Sequence, residues 1–88
     1  MSEDKLLLSS IAMDLKRVAL GYYRKSDKMA DRFLQEAIRR KNEINLEKVN
    51  ISTKKLLQGL DKIVNENNDA RAEDALMYST LFQNAALK

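Results

Sequence analysis

The sequence contains no cysteine, histidine, proline or tryptophan, and its two glycines are Gly21 and Gly59. Without cysteine and histidine, transition metals lack their usual protein ligands, and the common Cys–His and Ser–His pairs of nucleophilic enzymes cannot form. Without proline, and with so little glycine, few residues can interrupt a helix. No Gly-rich phosphate-binding loop is present either. These absences predict an all-α protein that is not an enzyme and has no catalytic residues, metal or cofactor.

Two short motifs resemble sites that this prediction excludes, one a catalytic serine and one a calcium loop. Ser52 and Lys55 have the Ser-x-x-Lys spacing in which a lysine can activate a serine, but a pair of common residues at a helix start is better explained by N-capping. The segment from Asn65 resembles a calcium loop. It has Ala70 where that motif needs glycine and Leu76 where it needs a bidentate acid. Neither motif predicts a site.

Apolar residues recur at the three- and four-residue spacing of amphipathic helices in four segments. The first helix is predicted from Ser2, its N-cap, to about Tyr23, with Gly21 near its end. Its inward stripe is Leu8, Ile11, Leu15, Val18 and Tyr22. A second helix is predicted after the Ser26-Asp27 cap. Its apolar side is Ala30, Phe33, Leu34, Ala37, Ile38 and Ile44.

The start of the third helix is ambiguous, because either Asn45 or Ser52 is suitable as its N-cap. Its apolar side is Leu56, Leu57, Leu60, Ile63 and Val64. The polar residues 65–68 predict a turn, after which Asp69 is expected to cap the fourth helix. The inward side of that helix is predicted to be Ala72, Ala75, Leu76, Ser79, Phe82 and Ala86.

Hydrophobic and capping positions in residues 15–37 recur 42 residues later, in residues 57–79. This weak repeat indicates two αα-hairpins with the same internal layout. With 88 residues the chain is long enough for one domain. The sequence therefore predicts a single domain over residues 1–88, a compact and mostly antiparallel up-and-down four-helix bundle with its first and third helices at the centre.

The net charge of +3 is unevenly distributed, since residues 16–41 hold nine basic and three acidic residues. Several of the cations share one helix face that could neutralise a row of phosphates. The candidate face for a partner or for nucleic acid is Arg24, Lys25, Lys28, Arg32, Arg39, Arg40 and Lys41. Acidic residues are interleaved with these cations, and no groove-reading motif is present. Nucleic-acid binding is therefore the alternative hypothesis.

The first helix is apolar around much of its circumference, with more large side chains than a small bundle can bury. These residues are Leu6, Leu7, Leu8, Ile11, Met13, Leu15, Val18 and Leu20. We therefore expect a protein-interaction or oligomerisation module that forms a dimer or binds another protein. No apolar run is long enough for a membrane span, and Glu3 and Asp4 argue against a signal peptide, so a cytoplasmic protein with no membrane partner is expected.

Overall fold

The computed structural model describes residues 3–87, which form four α-helices and no strand. The helices are α1 (Glu3–Tyr23), α2 (Asp27–Asn42), α3 (Ile51–Val64) and α4 (Asn68–Leu87). The structure is 84% helical, and its helix packing is that of a compact four-helix bundle, which confirms the predicted fold class. The expected N-cap of the first helix, Ser2, lies outside the described residues.

The helices pack in a ring in which α1 lies against α2 and α4, while α3 lies against α4 and, over a shorter length, α2. The most extensive contact joins α1 to α4, the first helix to the last. The sequence predicted that α1 and α3 form the centre of the bundle, and only their side chains do so. Leu15 and Leu57 are both fully buried, but the backbones of α1 and α3 are not in contact.

The predicted inward stripe of α1 is buried along its whole length, from Leu8 to Tyr22. The facing side of α4 is made mainly of small residues with one large ring, and small side chains allow two helices to approach closely. These buried residues of α4 are Ala72, Ala75, Ser79, Phe82 and Ala86. Leu76, which was expected on this side, is instead 45% exposed at its edge.

Asparagine side chains cap the two helices of the second hairpin. Asn50 Oδ1 accepts a hydrogen bond from the Thr53 amide at 2.8 Å, and Asn67 Oδ1 accepts one from the Ala70 amide at 2.9 Å. The predicted caps of these helices were therefore wrong: Asn45 lies in the preceding connection, Ser52 and Asp69 in the first turns. Ser26 precedes α2, but its side chain makes no cap hydrogen bond.

The connection between α2 and α3, residues 43–50, covers one end of the bundle. Ile44 is buried there, and Leu46 and Val49 pack against the core. The other two connections, residues 24–26 and 65–67, are short. Short connections place consecutive helices side by side and antiparallel, as the two predicted hairpins require.

Candidate functional site

The structure separates the seven cations of the predicted face into two groups. Three of them form ion pairs with acidic residues of the same chain. The distances are 2.7 Å from Arg39 to Glu36, 2.5 Å from Arg40 to Asp14 and 2.8 Å from Lys41 to Asp61. The other four are exposed and make no ion pair within residues 3–87. They are Arg24, Lys25, Lys28 and Arg32.

Arg40 reaches across to a buried carboxylate of α1. The side chain of Asp14 is 5% exposed, and Arg40 Nη1 donates to its Oδ2. Burial raises the pKa of Asp14 above its usual value, although the charges of Arg40 and the more distant Arg17 act in the opposite direction. Arg40 therefore neutralises a charge inside the bundle, which leaves little of its own charge for a partner.

Arg17 is an exposed cation that sequence reasoning did not include in the face. Its guanidinium lies 5.3 Å from the ring centroid of Phe33, so α1 contributes a cation beside those of α2. Arg17 also lies 3.8 Å from Asp14, but its side chain is 47% exposed. It could have been found from its seven-residue spacing to Arg24, which directly follows α1. We define the basic surface as Arg17, Arg24, Lys25, Lys28 and Arg32.

A hydrogen-bond cluster centred on Arg71 joins all four helices at one end of the bundle. Arg71 Nη1 donates to Tyr22 Oη of α1 at 2.9 Å, and Nε donates to the Ile63 carbonyl at the end of α3 at 3.2 Å. The Val64 carbonyl accepts a further bond from Arg71. Tyr22 Oη in turn donates to Asp31 of α2 at 2.6 Å. Burial, followed by this bond to Asp31, raises the pKa of Tyr22.

An open cleft of about 450 Å³ lies between α2, α3 and the start of α4. Its lining is Asp31, Leu34, Gln35, Ile38, Val64 and Arg71. The two charged residues of the lining are 3.5 Å apart and form an ion pair, and the arginine also binds the end of α3. The surface that the cleft offers to a ligand is therefore largely apolar.

On the opposite side of the molecule, the outer surface of α1 carries three exposed apolar residues seven positions apart. Leu6 is 54% exposed, Met13 51% and Leu20 39%. A seven-residue spacing returns to nearly the same side of a helix, so the three residues form one stripe pointing away from the core. The expectation that α1 has more apolar surface than the bundle buries is confirmed.

The neighbouring helix α4 extends this apolar surface. Residues 75–87 of α4 contain no charged residue, although exposed positions recur throughout that segment. Met77 is 51% exposed and Leu87 79%. We define the α1–α4 face as Leu6, Met13, Leu20 and Tyr23 of α1 with Leu76, Met77 and Leu87 of α4.

Charged residues lie around the α1–α4 face. On α1 the exposed charged residues are Glu3 in the first turn and Lys16 and Arg17 further along, and Arg24 follows the helix directly. The exposed charged residues of α4 are Asp69 and Glu73. The outward sides of α2 and α3 carry charges of both signs, as a solvated helix surface does.

In residues 3–87 no helix combines the length and apolar content that a membrane crossing needs. Acidic side chains in the same range do not cluster in threes, as a carboxylate metal site would require. Comparisons with protein-family models, with curated proteins and with solved structures found no match for this chain.

Proposed function

We propose that this chain is a non-catalytic protein-interaction or oligomerisation module, and that it binds its partner through the α1–α4 face. The observation that supports this function is the exposed apolar surface shared by two adjacent helices. Isolated exposed apolar residues are ordinary, but a group of them on two packed helices is typical of an interface.

The exposure of the face supports the proposal. Five of its seven residues are more than half exposed to solvent, which is unusual for large apolar side chains grouped on two neighbouring helices. Met13 and Met77 lie near its middle, and methionine adapts its shape to a partner more readily than a branched side chain does. A partner that covers the face would remove most of this surface from water.

Site-specific photo-crosslinking in the cells that make the protein tests this function. A photoreactive phenylalanine analogue replaces Met77, a residue of the α1–α4 face, and in a matched control it replaces Ile51 of α3, which is 71% exposed but outside the face. We expect crosslinked protein adducts from position 77 and few from position 51. Equal yields at the two positions, or no adduct at position 77, would rule out the face as a protein-binding surface.

We also propose that the module is cytoplasmic. A chain without cysteine has no disulfide bond that the reducing conditions there would break. Fractionation of the same cells tests this location. Recovery of the protein outside the cytosolic fraction would contradict it.

The alternative function is nucleic-acid binding through the basic surface. It is supported by the exposure of Arg24, Lys25, Lys28 and Arg32 without ion pairs in the described chain, and by Arg17 beside them. Fluorescence anisotropy of labelled duplex DNA and single-stranded RNA tests it at about 50 and 200 mM salt, where phosphate contacts weaken most visibly. Binding that is lost at the higher salt and in Arg32→Glu would support this function, while absence of binding at the lower salt would exclude it.

A further inference from the structure

We propose that Met13 and Met77 are oxidation sites, at which hydrogen peroxide converts the thioether to a sulfoxide and thereby weakens binding by the α1–α4 face. The effect on binding rests on the proposed function, because it requires this face to be an interface. The oxidation of the two side chains does not depend on that function.

Methionine carries all the sulfur of this chain, because the sequence has four methionines and no cysteine. No thiolate is therefore present to compete for a peroxide. Met1 lies outside the described residues. Of the other three, Met13 and Met77 are each 51% exposed, whereas Met29 of α2 is partly buried. Oxidation of sulfur follows exposure, so Met13 and Met77 are the two thioethers that a peroxide in solution reaches first.

The reaction requires no catalytic group from the protein. A lone pair of the methionine sulfur attacks one peroxide oxygen, and the O–O bond breaks. That oxygen forms the sulfoxide, while the other leaves as water with both peroxide protons. Sulfur is oxidised by two electrons and the peroxide is reduced by two. The side chain changes from a flexible apolar group to a polar one, and methionine sulfoxide reductases reverse the change.

The positions of the two side chains direct the effect to the surface and away from the fold. The buried core within residues 3–87 contains no methionine, so oxidation leaves its packing unchanged. Met13 and Met77 instead lie on the two helices that form the α1–α4 face. A sulfoxide there is a strong hydrogen-bond acceptor, and covering it with an apolar partner surface removes it from water without a donor. Oxidation at either position therefore disfavours binding.

Met13 also has surroundings that suit its oxidised form. It lines a surface groove between α1 and α4 together with Lys16 and Gln83. Both of these side chains carry N–H groups that are able to donate to a sulfoxide oxygen. The oxidised side chain is therefore compatible with the folded bundle, which keeps the modification reversible.

Peptide mass spectrometry of the purified protein after graded treatment with hydrogen peroxide tests the modification. We expect sulfoxide at Met13 and Met77 to form several times faster than at Met29, while the circular dichroism signal of the helices stays unchanged. Equal rates at the three positions would overturn the assignment of the sites. Loss of helical signal in step with oxidation would overturn the claim that the change is confined to the surface.

Photo-crosslinking in cells tests the effect on binding. The photoreactive phenylalanine analogue is placed at Leu76, which is 45% exposed within the face and leaves both methionines intact. Brief treatment of the cells with hydrogen peroxide is expected to reduce the adduct to near the level of the position 51 control. Mass spectrometry of the recovered chain verifies oxidation.

The matched control is the double variant Met13→Leu with Met77→Leu, which preserves apolar volume and cannot form a sulfoxide. Its adduct at position 76 should persist under the same treatment. An adduct that persists in the oxidised wild type, or that is lost equally in the double variant, would overturn control of the face by these methionines.

Failure of this inference is distinguishable from failure of the proposed function. If position 76 gives no adduct even without peroxide, the α1–α4 face is not a protein-binding surface, and no binding remains for oxidation to weaken. If the adduct forms and oxidation of both methionines leaves it unchanged, the face binds a protein but oxidation does not control it.

Discussion

The residue with the clearest single role is Arg40, which pairs with an aspartate that the fold removes from water. Asp14 lies on the α2 side of α1, and its carboxylate accepts a hydrogen bond from Arg40 at 2.5 Å. Removing one partner of a buried ion pair is costly, because the remaining charge keeps its desolvation penalty without the attraction that offset it. Arg39, the next residue along the chain, is paired at the surface with Glu36.

We expect Arg40→Met to lower the free energy of unfolding by about 2 kcal/mol at neutral pH, because it removes the hydrogen-bonded partner of Asp14 and leaves only Arg17, 3.8 Å away, while nearly preserving side-chain volume. Arg39→Met is the matched control. Its side chain is 60% exposed, so water screens the ion pair and its loss should leave the free energy of unfolding nearly unchanged. Urea unfolding monitored by circular dichroism measures both values. Equal effects of the two substitutions would contradict the assignment of Arg40 to the interior.

The cost of Arg40→Met should also depend on pH. The pKa of Asp14 is raised in the folded protein, so folding takes up a proton, and stability contributed by this group increases as the pH falls through the raised pKa. Without Arg40 the pKa rises further. The variant should therefore recover stability relative to wild type as the pH is lowered from neutral through the raised pKa and the Asp14 carboxyl takes up its proton. A cost that is the same at neutral and acidic pH would contradict the explanation.

Sequence analysis identified the cations in residues 16–41 but could not assign their partners. Arg40 and Lys41 are of the same residue types as Lys28 and Arg32, yet they bind Asp14 and Asp61, which are distant in the sequence. Pairing across helices depends on which sides of the helices meet. A pattern within one helix does not contain that information.

At the level of elements, the approach of α1 to α2 depends on one glycine. A Cβ atom on Gly21 would lie 2.8 Å from Ala30 Cβ and 2.9 Å from the Ala30 amide nitrogen. Cβ atoms essentially never make contacts this short, and the obstacle includes the backbone of α2, which cannot move without shifting the helix. Gly59 of α3 is also closely packed, but a Cβ there would meet the ring and hydroxyl of Tyr78.

We expect Gly21→Ala to lower the free energy of unfolding by about 2 kcal/mol, even though alanine favours a helix by about 1 kcal/mol over glycine. Gly59→Ala should cost less than half as much, because the Tyr78 side chain can rotate away from the added methyl group. Thermal unfolding of the two variants in parallel checks the difference. A Gly21→Ala variant as stable as wild type would show that α1 and α2 can separate at little cost.

The helices themselves were predictable, while their exact starts were not. The apolar stripes placed all four helices, because burial of one side fixes both the period and the approximate length. The start of α3 was ambiguous between Asn45 and Ser52, which have similar capping ability. Asn50 is the cap because Leu46 and Val49 pack against the core, which keeps the residues before Ile51 out of the helix. The position of the N-cap of α3 therefore depends on tertiary contacts, which the sequence pattern does not show.

At the level of the whole molecule, α3 is the helix held least tightly. It packs on α4 and only briefly on α2, and the cleft of about 450 Å³ lies beside it. Helix α1, by contrast, packs along two neighbours. Segments with fewer contacts open at lower free energy than the rest of a protein.

Native-state hydrogen exchange should therefore show two levels of protection. We expect the amides of Leu57 to Ile63 in α3 to exchange through a partial opening, with a lower free energy than the amides of Ile11 to Val18 in α1. The α1 amides should exchange only through global unfolding. Identical free energies for the two helices would mean that the bundle opens as one unit.

The composition and the four apolar stripes were sufficient to predict a four-helix bundle, but they did not determine which helices are neighbours. Four amphipathic stripes can close around a core in more than one order, and the sequence favoured α1 and α3 as the central pair. In the structure the most extensive contact joins α1 and α4, because the small residues Ala72, Ala75 and Ser79 let α1 approach closely. The outward sides of the same two helices then form the α1–α4 face. Sequence reasoning had identified the apolar excess on α1, but not its continuation on α4.

The contact between the first and last helices also affects how the protein is made. During synthesis α1 leaves the ribosome well before α4, and at about 5–20 residues per second the intervening segment takes several seconds to translate. Hydrophobic collapse needs only microseconds, so during this interval α1 and α2 are exposed as a hairpin with the stripe from Leu8 to Tyr22 partly uncovered. The growing chain therefore presents apolar surface on both sides of α1, and only the inner side is covered when the last helix emerges.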